Sequence, residues 1–258
     1  MRIGMFDSGV GGLSIWKAVN AHLPEASIIY LADQAYCPYG EKHPDWIKDR
    51  SERISSYLIE EYACSLIVVA CNTATTAAVH HLREAFDIPF VGVEPAIKPA
   101  ATQTKTGKVG VLATAGTLKG GHFLQTSERY ASGVEVNVQI GHGLVEWVES
   151  GNMEDEAGKS LLQSYLQPMM DASIDQLVLG CTHYPFLTTA IEEITQGSMA
   201  IHEPSEAIAR RVKELWAKVD SPEKENVFLT TGEERSYEKL VHKLLENSMG
   251  RTIRVSLD

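Results

Sequence analysis

Cysteine is scarce in this chain: four among 258 residues, Cys37, Cys64, Cys71 and Cys181, with no C-x-x-C spacing. A chain this long needs no disulfide staples, so free thiols in a reducing, cytoplasmic compartment are expected. No apolar run approaches the roughly 18–20 residues of a spanning helix. The first residues, Met1-Arg2-Ile3-Gly4-Met5-Phe6-Asp7, enter a strand-like run directly, which predicts neither a membrane segment nor a secretory leader. Basic residues are outnumbered, 23 Lys and Arg against 34 Asp and Glu, for a formal net charge of −11. That balance argues against nucleic acid or an anionic membrane as partner. It leaves room for a small anionic ligand held by backbone N–H groups. Zinc spacings are lacking as well. His80-His81, His122 and His142 form neither a two-His helix face nor a Cys/His repeat, so no metal is expected.

What is present is an ordinary globular composition, 44% hydrophobic and 22% charged, which excludes a disordered chain. Strand-like runs at Arg2–Asp7, Ser27–Leu31, Leu66–Ala70, Pro89–Val93, Lys108–Ala113, Val134–Gln139, Gln176–Leu179 and Asn226–Thr230 alternate with longer amphipathic stretches. Among the latter are Trp46–Tyr62, Asp155–Met170 and Glu206–Lys218. Such alternation predicts an α/β protein with parallel sheets and crossover helices. The chain also repeats itself. Ile3-Gly4-Met5-Phe6-Asp7-Ser8-Gly9 has the form of Val109-Gly110-Val111-Leu112-Ala113-Thr114-Ala115, and in each half a cysteine follows at nearly the same interval. Two pseudo-symmetric, flavodoxin- or Rossmann-like domains facing across a cleft are expected. Their boundaries would be 1–94 plus 205–258 for the first and 95–204 for the second, with Glu94-Pro95-Ala96 as the linker.

Two cysteines share a local setting. Cys71 ends Leu66-Ile67-Val68-Val69-Ala70 and precedes Asn72-Thr73; Cys181 ends Leu177-Val178-Leu179-Gly180 and precedes Thr182-His183. Each reads as a thiol at the carboxyl end of a strand and the start of a helix, where free N–H groups bind anions and lower a thiol's pKa. In open α/β sheets the ligand crevice lies at those strand ends. Most free cysteines are inert and buried, but two in matched settings point to a pair of acid/base groups facing one substrate. His183 is placed to exchange a proton with Cys181, and Asp7 is the natural partner of Cys71. Cys37 and Cys64 lack this setting and read as structural. A Cys-His hydrolase would leave one thiol unexplained. Asp7-Ser8-Gly9-Val10-Gly11-Gly12, with Asp33 as a ribose acid, could mark a dinucleotide site, but Ser14 stands where the fingerprint needs its third glycine. Glu146 and Glu149 read as surface charge on a helix.

Taken together the motifs resemble the glutamate racemases of the aspartate/glutamate racemase superfamily. The residues concerned are Asp7-Ser8-Gly9-Val10-Gly11-Gly12, Pro38-Tyr39-Gly40, Cys71-Asn72-Thr73-Ala74-Thr75, Ala113-Thr114-Ala115-Gly116-Thr117 and Gly180-Cys181-Thr182-His183-Tyr184-Pro185, in the family's order along the whole chain. The resemblance implies a cofactor-independent enzyme that interconverts L- and D-glutamate by proton transfer between two thiols. Cys181 would deprotonate the L-form with His183, and Cys71 the D-form with Asp7. Substrate contacts would come from Ser8, Pro38, Tyr39, Gly40, Asn72, Thr73, Thr114, Thr117 and Thr182, and Asp33 and Glu149 match further acidic positions. It also implies a homodimer that supplies D-glutamate for peptidoglycan. The chain opens on its first strand without the extension some members carry, so regulation by a cell-wall precursor is not expected.

Overall fold

A computed structural model of the chain describes residues 1–119, 126, 128–216, 224–246 and 250–257. His122 and the far end of the expected helix Glu206–Lys218 lie outside the described residues; that helix runs over Ser205–Leu215. β-Branched and other apolar residues dominate the central strands, which are buried along almost their whole length, as strands covered on both faces must be.

Ten described strands form two sheets, each wholly parallel. The first contains β1 (Arg2–Asp7), β2 (Ser27–Ala32), β3 (Cys64–Val69), β4 (Phe90–Gly92), β9 (Val227–Thr230) and β10 (Arg251–Arg254), in the order β10-β9-β2-β1-β3-β4. The second contains β5 (Lys108–Ala113), β6 (Glu135–Ile140), β7 (Gln176–Gly180) and β8 (Ala200–His202), in the order β6-β5-β7-β8. The order 2-1-3-4 is therefore repeated as 6-5-7-8, so the two lobes are pseudo-symmetric. After β8 the chain returns to the first sheet. The order reverses at β1/β3 in one sheet and at β5/β7 in the other, and those switch points are where open α/β sheets bind ligands. β8 and β10 were not among the strands expected from sequence. β8 has three residues, and β10 reads Arg-Thr-Ile-Arg, half exposed on the sheet edge, so neither carries an apolar signature.

One hydrophobic cluster joins the lobes: Ile3, Met5 and Tyr30 of the first sheet belong to the same contiguous core as Leu177 of the second sheet and Leu144 and Tyr184 of the helical segments beside it. The outer face of each sheet has its own smaller core. Among the described residues no helix is long and apolar enough to cross a membrane.

Candidate active site

The first wall is built at the ends of β1 and β3. Asp7, the last residue of β1, is fully buried; its carboxylate accepts hydrogen bonds from Ser8 Oγ (3.0 Å) and Thr182 Oγ1 (2.8 Å). Burial pushes Asp7 above the usual carboxylate range, although His183, Thr182 and Ser8 all oppose that rise. Cys71 is the N-cap of helix Asn72–Ala85, and the Ala74 N–H donates to its sulfur at 3.5 Å. Burial raises the Cys71 thiol well above its ordinary range, and the Asp7 charge adds to the effect. At rest this thiol keeps its proton.

The second wall comes from the end of β7 and from helix Leu144–Glu149. Cys181 Sγ lies 3.8 Å from His183 Nδ1, and His183 Nε2 lies 2.6 Å from Glu149 Oε1. Burial alone would depress His183, but hydrogen bonds with Cys181, Cys37 and Glu149 hold it well above its ordinary value. Burial alone would likewise raise Glu149. The His183 charge and hydrogen bond, with N–H donors from Val10 (2.7 Å) and Gln34 (2.8 Å), lower it instead. The result is a buried imidazolium–carboxylate pair behind Cys181. Glu149 thus belongs to the site, tied through Val10 and Gln34 to the opposite lobe.

That tie explains the glycine-dense turn. A Cβ at Gly9 would collide with the Glu149 carboxylate, and one at Gly11 with the His183 imidazole. Gly11→Ala is therefore expected to push the His183 ring off its partners. It should cost about 1–3 kcal/mol by overpacking and lower turnover more than that loss of folded protein explains. Thermal unfolding and activity measured on the same sample would check it.

Cys71 and Cys181 line one small cavity, of about 250 Å³ of empty space, at the junction of the lobes. Asp7, Ser8, Pro38, Tyr39, Gly40, Asn72, Thr73, Thr114, Thr117, Thr182 and His183 line it too, with Val145 as the one further residue. Thr73 Oγ1 is 3.0 Å from Thr114 Oγ1, which is 2.9 Å from Thr117 Oγ1, so hydroxyls from both lobes meet there. Asn72 is buried, yet neither atom of its amide has a hydrogen-bond partner among the described residues. A buried amide without partners on a cavity wall has hydrogen-bonding capacity to offer a ligand there.

Two expectations are corrected by this geometry. Asp33 is not on the cavity wall. Its carboxylate is saturated by Arg50 (Nε 2.9 Å, Nη2 2.8 Å), the Tyr39 hydroxyl (2.6 Å) and Thr231 Oγ1 (2.9 Å), so it holds the Tyr39 loop from behind. Cys37, expected to be structural, lies beside the site. Its sulfur sits 3.8 Å from Glu149 Oε1 and 3.9 Å from Ser8 Oγ, and burial pushes its thiol up to about 11. Nor does the lack of a zinc spacing in the sequence carry over to the fold: donor atoms of Cys37, Glu149 and His183 lie within 4.8 Å of one another. The three come from separate segments, which no spacing rule detects.

Fold and cavity define a two-lobed α/β protein with one thiol from each lobe on the wall of a shared pocket. The family model that matches, Asp/Glu/Hydantoin racemase, covers residues 14–212. The chain is 42% identical over 247 residues to a glutamate racemase of Ralstonia pickettii, covering 94% of this chain and 87% of the relative. It is 48% identical over 218 residues to that of Herpetosiphon aurantiacus, covering 84% and 85%. Among solved structures it matches the Escherichia coli glutamate racemase, crystallised with L-glutamate and an activator, UDP-MurNAc-ala. That match has a TM-score of 0.88 at 33% identity, over 98% of this chain and 97% of the other. The chain belongs to the Asp/Glu/hydantoin racemase family, and as an amino-acid racemase it is an isomerase.

Proposed function

We propose that this protein interconverts L- and D-glutamate by moving a proton at Cα between two thiols, with no cofactor. One observation carries the reading: Cys71 and Cys181 line the same small cavity from opposite lobes. In the L-to-D direction Cys181, with its proton taken up by the His183–Glu149 pair, removes the α-proton from one face. Cys71, which holds its proton, delivers it to the other face, and the centre inverts. The thiols end with their protons exchanged, and Asp7 beside Cys71 and His183 beside Cys181 restore the starting state through solvent. The reverse reaction uses the same groups in opposite roles.

The α-proton of an amino acid is very weakly acidic, so the carboxylate must be stabilised as negative charge builds on it. Donors fixed before the reaction do this best, in a site closed to water. Asn72, the N–H groups at the start of helix Asn72–Ala85 and the threonines of both lobes suit that task. The lobes act as domains, 1–94 with 205–258 and 95–204, whose closure excludes water. Ser8, Pro38, Tyr39, Gly40, Asn72, Thr73, Thr114, Thr117 and Thr182 hold the substrate. The enzyme works in the cytoplasm as a homodimer and supplies D-glutamate for peptidoglycan.

The test is deuterium entry at Cα from D₂O across a panel of amino acids. Glutamate is expected to exchange fastest, with inversion. Faster exchange with aspartate would move the substrate assignment within the family, and glutamate binding without exchange would make the protein a sensor. The thiol partners should also be separable. Two enantiomers have an equilibrium constant of one, so kcat/KM must remain equal in the two directions in any variant. His183→Asn and Asp7→Asn are therefore expected to lower kcat unequally for the L- and D-forms, each in the opposite sense. Equal losses at saturating substrate would sink that pairing.

A further inference from the structure

The site holds one reactive-residue cluster with a member, Cys37, that proton transfer between two thiols does not use. Cys37 is absent from the cavity wall, yet its sulfur, a Glu149 oxygen and a His183 ring nitrogen converge behind Cys181, within 4.8 Å of one another. Thiolate sulfur, imidazole nitrogen and carboxylate oxygen are the three ligand types of tetrahedral zinc. We propose that Cys37, Glu149 and His183 form an inhibitory site for a thiophilic divalent cation, Zn²⁺ above all, which clamps the two lobes together.

Geometry supports it. Zinc bonds of about 2.3 Å to sulfur and about 2.0–2.2 Å to nitrogen and oxygen set donor separations of roughly 3.4–3.6 Å in a tetrahedron. Cys37 Sγ already lies 3.8 Å from Glu149 Oε1. His183 Nε2 and the same oxygen are closer, 2.6 Å, because a proton lies between them. A metal in place of that proton would part them by under about 1 Å, a movement within reach of two side-chain torsions. The supports that good metal sites require are present too. The Val10 N–H and Gln34 amide brace the carboxylate, and His183 turns its other nitrogen, Nδ1, to Cys181 Sγ at 3.8 Å. Cys37 and Glu149 are only partly buried, which leaves part of each in contact with solvent.

Binding would release two protons to solvent, one from the Cys37 thiol and one from the His183–Glu149 pair, as metal sites do when their ligands deprotonate. Two consequences follow for turnover, and this part rests on the racemase reading above. His183 loses the carboxylate through which it holds a proton for Cys181. The Cys37 loop, on the first lobe, becomes bonded to Glu149 and His183 on the second, so the pocket can no longer open and close around substrate.

The test is equilibrium dialysis of the full chain against ZnCl₂, run beside racemisation assays with and without a chelator. One zinc per chain is expected, with inhibition that follows occupancy and is reversed by chelator. Cys37→Ser should bind zinc at least about tenfold more weakly, the lower end of what even outer-shell changes cost a metal site, and whatever activity it has without zinc should lose its sensitivity to zinc in proportion. Cys37→Ala serves as a second variant if serine perturbs folding. Cobalt is the spectroscopic stand-in: its thiolate charge-transfer band should appear with the unaltered protein and vanish in either variant. No zinc bound at micromolar concentration would overturn the proposal. So would unchanged zinc affinity and inhibition in both Cys37 variants, which would assign the metal to Cys71 or Cys181. Zinc bound tightly by a protein inactive towards glutamate would instead leave the site standing and sink the substrate assignment.

Discussion

Serine at either Cys71 or Cys181 is expected to abolish racemisation while the fold stays intact. The substitution keeps the shape of the side chain, and each cysteine is already bounded by polar neighbours, the Ala74 N–H at one and the His183 ring at the other. What changes is acidity. An alcohol holds its proton far more strongly than a thiol, so it can neither take the α-proton nor hand one over at a useful rate. A positioned acid or base contributes roughly 10²–10⁴-fold, and every turnover needs both, so each single variant should lose at least that much. The two losses should not add, because one missing member already stops the exchange. Mixing the two variants should rescue nothing, since both thiols line one cavity within one chain. The measurements are loss of optical rotation from either enantiomer, with circular dichroism to verify the fold. Substantial turnover in either single variant would end the two-thiol scheme.

The largest effect on stability is expected at Arg50. Its guanidinium grips Asp33 with two hydrogen bonds, both side chains are buried, and it also stacks over the Tyr36 ring at 4.5 Å. Arg50→Met removes the cation paired with Asp33, a carboxylate with no exposure to water. Breaking a buried pair from one side typically costs about 3–5 kcal/mol, because the remaining charge is stranded. For a chain of this size that is a fall in melting temperature of roughly 6–20 °C. The Tyr39 hydroxyl donates to the same carboxylate, so the loop that lines the pocket should loosen and KM for substrate should rise. Adding Asp33→Asn is expected to recover part of the stability, since no charge is then left buried. A single variant as stable as the unaltered chain would show that Asp33 finds water or a proton instead.

The sequence made the α/β alternation and the internal repeat legible because both are local: a buried parallel strand reads as a short β-branched run wherever it occurs. The matching cysteines were legible for the same reason, each marked by its own strand and its own cap. What stayed hidden depends on residues far apart in the chain. Glu149 looked like helix surface charge until the fold brought it to Val10, Gln34 and His183. Asp33 seemed free to face a ligand because Arg50 sits inside an amphipathic helix, where arginines normally point to water. The glycines of the first turn could be read as conformational freedom, but the necessity of Gly9 and Gly11 comes from side chains of the other lobe that fill the missing Cβ positions. Cys37 carried no local mark at all.

The order of the first sheet has a consequence for synthesis. All four strands of the second sheet lie between Lys108 and His202, without interruption, so they can assemble as soon as that stretch has left the ribosome. The first sheet begins earlier and finishes later. β2 has its inner neighbour early, but its other edge waits for β9 and β10, near the end of the chain. Nascent chains usually complete their N-terminal unit first; here that unit is the last to close. For most of translation β2 presents an unpaired, largely apolar edge, the kind of surface on which strands of other chains add. Truncation before Val227 should therefore yield aggregates rather than a shorter folded protein.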